Sequence, residues 1–170
     1  MSEVERLAGV CAELLEQARD LVLKLDAEVF AAPLPGIAAS AGAHLRHCLD
    51  AFDQLAAGLG SGAVDYDRRA RDPRTETDPF AALERIDALR GELVERIAGE
   101  SDRTLRIRAD EPGAASDAGF VASTLARELR ALASHTVHHY ALVAVVLRLR
   151  GVDVPQAFGV APSTWAHAQR

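Results

Sequence analysis

Apolar residues recur at alternating three- and four-residue spacing in four separate stretches of this 170-residue chain. That spacing lines one face of an α-helix and neither face of a strand. Val4, Leu7, Cys11, Leu14, Ala18, Leu21 and Leu25 predict a first helix over Glu3–Val29, broken by Ala31-Ala32-Pro33-Leu34-Pro35-Gly36. Leu45, Cys48, Leu49, Phe52, Leu55 and Leu59 mark a second, starting at Ser40 or slightly before and closed by Gly58, Gly60 and Gly62. Asp78-Pro79 reads as a helix cap followed by proline at the first helical position, with Phe80, Leu83, Ile86, Leu89, Leu93 and Ile97 continuing a third. The fourth runs from Ser123 to Leu149 and stops near Gly151. Four such stripes bury one another in an all-α four-helix bundle. The expectation is one domain over 1–170, with the bundle at 3–151 and an irregular tail at 152–170.

The connections carry other patterns. Residues 61–77 are polar and include Asp67-Arg68-Arg69-Ala70-Arg71-Asp72-Pro73, whose mixed signs predict a salt-bridged surface loop rather than an anion site. Thr104-Leu105-Arg106-Ile107-Arg108 alternates as a strand does. With a turn at Glu111-Pro112-Gly113 and a return at Phe120-Val121, it predicts a small β-hairpin between the third and fourth helices. The tail, with Pro155, Gly159 and Pro162, is expected to wrap the bundle.

A net charge of −6 argues against nucleic acid as a partner, because phosphate backbones select a basic face. The apolar run Tyr140–Leu147 is far too short for a bilayer. Glu3 and Glu5 sit where a secretory leader is basic. Cys11 and Cys48 form no CxxC pair and are expected to be reduced and packed. These features together predict a cytoplasmic protein with no membrane segment.

The chemistry concentrates in His135-Thr136-Val137-His138-His139 of the fourth helix. At about 100° per residue, His135 and His139 fall within the stripe of Leu125, Leu129, Leu132, Val143 and Val146, as does Glu128, while His138 falls outside it. Two imidazoles one turn apart point toward one spot and need a partner if buried. A divalent ion such as Zn, Ni or Fe supplies one; hydrogen bonds to each other or to buried water are the alternative. The second helix offers His44 and His47 for a third nitrogen. Angle favours His44, although Ala51 and Gly58 share the arc of both and leave room for a close neighbour. Glu128 lies about 10 Å along the axis from His135. That suits orienting a ligand, binding substrate or acting as a general base, and equally an ion pair with an arginine. Asp50 and Asp53 read as solvated, Tyr140 as a core-edge aromatic, and His167 as lying outside the site.

Ser40-Ala41-Gly42-Ala43-His44-Leu45-Arg46-His47, followed by Arg127-Glu128 and Ser134-His135-Thr136-Val137-His138-His139, resembles the DinB-like, damage-inducible superfamily. The resemblance spans Glu3 to Gly151 and implies a four-helix bundle with a divalent metal held by three histidines. Position by position, it puts those ligands at His47, His135 and His139, and so opposes the angular preference for His44. His44 then becomes a neighbour that moves protons or orients a ligand, or an alternate ligand. Many relatives carry a further histidine where this chain has Ala51. Similar families include thiol-dependent S-transferases and the metal-binding domain of ergothioneine sulfoxide synthases. The resemblance therefore implies attack of a metal-activated thiol or water on a small electrophile, with Glu128 or His44 assisting. The substrate would be a small molecule and the co-reactant a low-molecular-weight thiol. A non-catalytic metal-stapled bundle with a structural or partner-binding role is the competing expectation. Pairing through exposed apolar helix faces makes a homodimer the expected assembly.

Overall fold

The computed structural model describes residues 1–108 and 119–161, together with Thr164 and His167. Its first helix, α1 (Glu3–Val22), begins with a capping box: the Ser2 hydroxyl accepts from the Glu5 backbone N–H, and the Glu5 carboxylate accepts from that of Ser2. It ends earlier than the apolar spacing predicts. Asp26 accepts from the Val29 backbone N–H at 2.7 Å and so starts a separate short helix, α2 (Ala27–Ala31). A side chain that competes for backbone donors in this way interrupts a helix whose hydrophobic pattern continues. The new helix turns Phe30 fully into the core.

α3 (Ala41–Gly58) starts where Ser40 accepts from Ala43 N–H. The connection expected to be a polar, salt-bridged surface loop contains β1 (Ala63–Asp65) and α4 (Pro73–Thr77). α5 (Pro79–Glu95) opens on the anticipated Asp78 cap and Pro79. A single 3₁₀ turn, Ile97–Gly99, leads to β2 (Thr104–Arg108). β3 (Val121–Thr124) then feeds directly into α6 (Leu125–Leu149). β2 and β3 pair antiparallel, as the hairpin expectation requires, and β1 adds a parallel strand on the other side of β2. The turn expected at Glu111-Pro112-Gly113 lies outside the described residues. Val64, Leu105 and Ile107 all face inward, so the sheet covers the core with one side.

The chain is mostly helical, and its four long helices form a ring: α1 packs on α5 and α6, and α3 packs on the same two. Two glycines set how closely other elements approach α3. A Cβ on Gly42 would lie 2.1 Å from the Glu76 carbonyl oxygen of α4, and one on Gly58 would lie 2.6 Å from that of Ala63 in β1. The tail packs on α6, where Phe158 stacks on Tyr140 at 4.6 Å between ring centres. Among the described residues, no helix is long and apolar enough to cross a membrane.

Candidate metal centre

The first turns of α3 give each residue of the Ser40-x-Gly42-x-x-x-x-His47 stretch a separate task. Ser40 caps the helix, Gly42 admits the α4 backbone, and His47 emerges on the side that faces α6. His47, His135 and His139 form a cluster in which one ring nitrogen from each lies within 4.8 Å of the others. Nε2 of His47 and Nε2 of His135 are 3.1 Å apart. Two Zn–N bonds of about 2.0–2.1 Å, at angles between octahedral and tetrahedral, put their nitrogens about 2.8–3.4 Å apart. The donor set is neutral imidazole, which suits Zn, Ni or Fe. The cluster therefore fits a divalent ion.

His44 stands beside the cluster, its Nδ1 3.1 Å from Nδ1 of His139. His138 is exposed and touches His139 only edge-on. One expectation needs correction. His135 and His139 are half-buried rather than buried, because the fully covered stripe of α6 runs through Leu129, Thr136, Tyr140, Val143 and Leu147. The histidines occupy the flank of that stripe, on the side facing α3. Both α3 histidines are half-buried as well, so burial does not separate them.

Burial and repulsion from neighbouring charged groups favour the neutral form of His44, His47 and His139. Desolvation lowers the pKa of His139 to about 3, with repulsion from His135, His47, His44 and His138 acting the same way. Desolvation lowers that of His47 to about 4, helped first by the Arg69 guanidinium. His44 is lowered by burial and by His138. Neutral imidazole is the form that ligates.

The cluster opens on a cavity of about 260 Å³, lined by His47, His135, Tyr66, Arg69, Glu128 and the apolar wall of Ala51, Ala131 and Leu132. Ala51 thus does make room, as its place on the α3 arc suggested. Glu128 is buried in the first turns of α6 and is held by three donors. The Tyr66 hydroxyl reaches it at 3.1 Å, Ser123 at 2.5 Å and Arg127 at 2.8 Å. The arginine pair anticipated for Glu128 is therefore present, alongside a position in the cavity wall. Burial and the neighbouring Glu128 carboxylate both raise the Tyr66 pKa, so its phenol stays protonated. Arg69 extends from the connection between β1 and α4, and its Nη1 donates to Nδ1 of His47 at 2.7 Å.

Residues outside the cluster resolve into structural roles. Asp50 is buried, not solvated as expected, because Arg46 one turn earlier reaches it at 2.6 Å and also reaches Glu76 of α4 at 2.7 Å. Asp53 pairs with Arg85 of α5. Tyr140 is fully buried and donates to the Leu14 carbonyl at 2.9 Å. Cys11 and Cys48 are free, buried thiols whose pKa values burial raises to about 12. His167 is exposed. Sequence reasoning missed Tyr66, Arg69 and Ser123. The signal available for Arg69 was an arginine-rich stretch, which read as a salt-bridged surface loop rather than an anion site.

Residues 5–143 match the family model of the DinB superfamily. The chain is 33% identical over 107 residues to a protein named FK506-binding protein 5 from Rhizopus delemar, a match covering 63% of this chain and 28% of that protein. This chain thus corresponds to less than a third of that relative's length. No solved structure matches.

Proposed function

The chain belongs to the DinB superfamily, and from that premise we propose that it is a divalent-metal-binding enzyme of the four-helix-bundle type. Its cyclic helix packing supports the bundle architecture. His47, His135 and His139 hold the ion. The substrate is a small electrophile, and the second reactant is a low-molecular-weight thiol or water, in an S-transferase or hydrolase reaction. The supporting observation is the cavity: two of the three histidines form part of its wall, beside Tyr66, Arg69 and Glu128. A metal that only staples helices needs no such space, whereas a catalytic ion needs an open side and polar groups within reach.

A bound ion supplies Lewis acidity toward a water, thiol or carbonyl presented on that open side. The chain's own residues do the rest. His44 orients His139 through the contact between their Nδ1 atoms. Tyr66, protonated and anchored on Glu128, presents a hydroxyl at the cavity wall. Glu128 keeps that hydroxyl in place and is itself held by Ser123 and Arg127. Ala51, Ala131 and Leu132 exclude water from the apolar part of a substrate.

The test is metal analysis of untagged protein followed by a reactivity screen. The expected result is about one metal per chain in the wild type and none in His47→Ala or His139→Ala. Metal-dependent consumption of 1-chloro-2,4-dinitrobenzene with a panel of low-molecular-weight thiols, or of an activated ester with water, supports the enzyme. A stoichiometric metal with no turnover of either kind overturns the catalytic reading in favour of a structural one.

A further inference from the structure

Arg69 holds His47 in a form that cannot ligate through the nitrogen facing the other imidazoles. Its Nη1 lies 2.7 Å from Nδ1 of His47. A guanidinium only donates, so Nδ1 carries a lone pair and the ring's single proton sits on Nε2, between His47 and His135. Coordination through Nε2 reverses that arrangement. The ring proton then sits on Nδ1, and two N–H groups face each other across the present contact. Histidines that hold metals instead donate their other nitrogen to an acceptor.

His139 has the partner that His47 lacks. Its Nδ1 faces Nδ1 of His44 at 3.1 Å, and a neutral imidazole can accept. The contact to His139 is thus compatible with ligation through its Nε2, and the contact to His47 is not. Loading the cluster requires the guanidinium of Arg69 to move.

The cavity offers it a destination. Arg69 already forms part of the wall. Its Nε is buried with no hydrogen-bond partner, and among the described residues no carboxylate pairs with the guanidinium. Glu128, the carboxylate on the same wall, is already held by Tyr66, Ser123 and Arg127. The cavity volume of about 260 Å³ lies just below the range typical of drug-sized ligands, so it suits a small molecule. A planar fork of donors with spare capacity matches a carboxylate.

We propose that this cavity takes a small carboxylate recognised by Arg69, which passes from His47 to that carboxylate when a divalent ion occupies the histidines. The recognition rests on the cavity and its arginine. The handover rests also on the metal-binding reading above. The electrophile of the proposed reaction is thereby narrowed to an acid with a compact apolar body.

The experiment titrates the full chain, zinc-loaded and metal-free, with benzoate and with its uncharged counterpart benzamide, using calorimetry. Wild type is compared with Arg69→Met and Arg69→Lys, each checked for an unchanged thermal transition. The zinc-loaded wild type is expected to prefer benzoate by about tenfold or more, a difference of about 1.4 kcal/mol. Arg69→Met is expected to lose that preference and to bind zinc more tightly than wild type. Arg69→Lys keeps a reduced preference. Metal-free wild type is expected to bind benzoate more weakly than the zinc form. A preference that survives in Arg69→Met places the carboxylate on the metal's open side and overturns the inference. No preference in wild type overturns it too. If the chain binds no zinc, the metal reading and the handover both fail. The metal-free comparison of wild type with Arg69→Met then decides the recognition by the same criterion.

Discussion

The two flanks of α6 handle polar groups in opposite ways. Toward α1, two buried polar side chains each find a backbone acceptor. The Tyr140 hydroxyl meets the Leu14 carbonyl, and the Cys11 thiol meets that of Leu129. Toward α3, the imidazoles meet mainly each other, with ring centres of His47, His135 and His139 between 4.6 and 4.9 Å apart. Satisfaction by fixed carbonyls is a structural solution and leaves nothing over. Imidazoles facing imidazoles gather ring nitrogens around a shared point, which folding stability does not require. The contrast separates what holds this helix in place from what it holds in place for use.

The largest effect that tests this contrast is His135→Ala. It is expected to weaken zinc binding by at least about a hundredfold, beyond the 10–100-fold typical of losing an outer partner. The unfolding free energy of the metal-free chain should change by no more than about 1 kcal/mol, since the side chain is only half-buried. Competition with a chromophoric chelator and urea unfolding read the two quantities. A large stability loss in the metal-free chain would mean that the flank toward α3 is structural as well.

His44→Ala comes next. As an orienting neighbour of His139, it should cost roughly tenfold to a hundredfold in zinc affinity while leaving the stoichiometry intact. Loss of stoichiometric binding would make His44 a ligand.

On the opposite flank, Tyr140→Phe removes one hydrogen bond and should destabilise the chain by about 1 kcal/mol, leaving zinc affinity unchanged. A change in affinity would show that the two flanks are coupled through α6.

A pH dependence tests the flank toward α3. The unfolded chain takes protons on its histidines near pH 6.5, whereas folded His47 and His139 take them only near 4 and 3. Between those values the unfolded state binds more protons. Metal-free stability should therefore fall as pH drops from about 6.5 toward 4, and this dependence should be shallower in His47→Ala. Urea midpoints across that range check it. An equal slope in wild type and variant would contradict the neutral cluster.

The sequence made one flank easier to read than the other, for physical reasons. His135 and His139 were legible because one helix carries both, and four-residue spacing fixes their relative direction without reference to the rest of the fold. The choice between His44 and His47 was not fixed in that way. α3 touches both α5 and α6, and a helix with two neighbours has no single inward angle. The resemblance named His47, and the structure brings His47 into the cluster while setting His44 against His139. Arg69 and Tyr66 were illegible because their positions depend on β1 pairing in parallel with β2, a contact between segments far apart in the chain. Asp50 was misread because a helical aspartate ordinarily faces water. Only its Arg46 neighbour and the Gly42 contact, which brings α4 and Glu76 close, account for its burial.

The most direct test of the central claim is X-ray absorption spectroscopy on untagged protein loaded with one equivalent of zinc. The account predicts zinc coordinated by three imidazole nitrogens at about 2.0–2.1 Å plus one further light atom, with no sulfur. Failure to retain zinc, or a sulfur neighbour at about 2.3 Å, would contradict it.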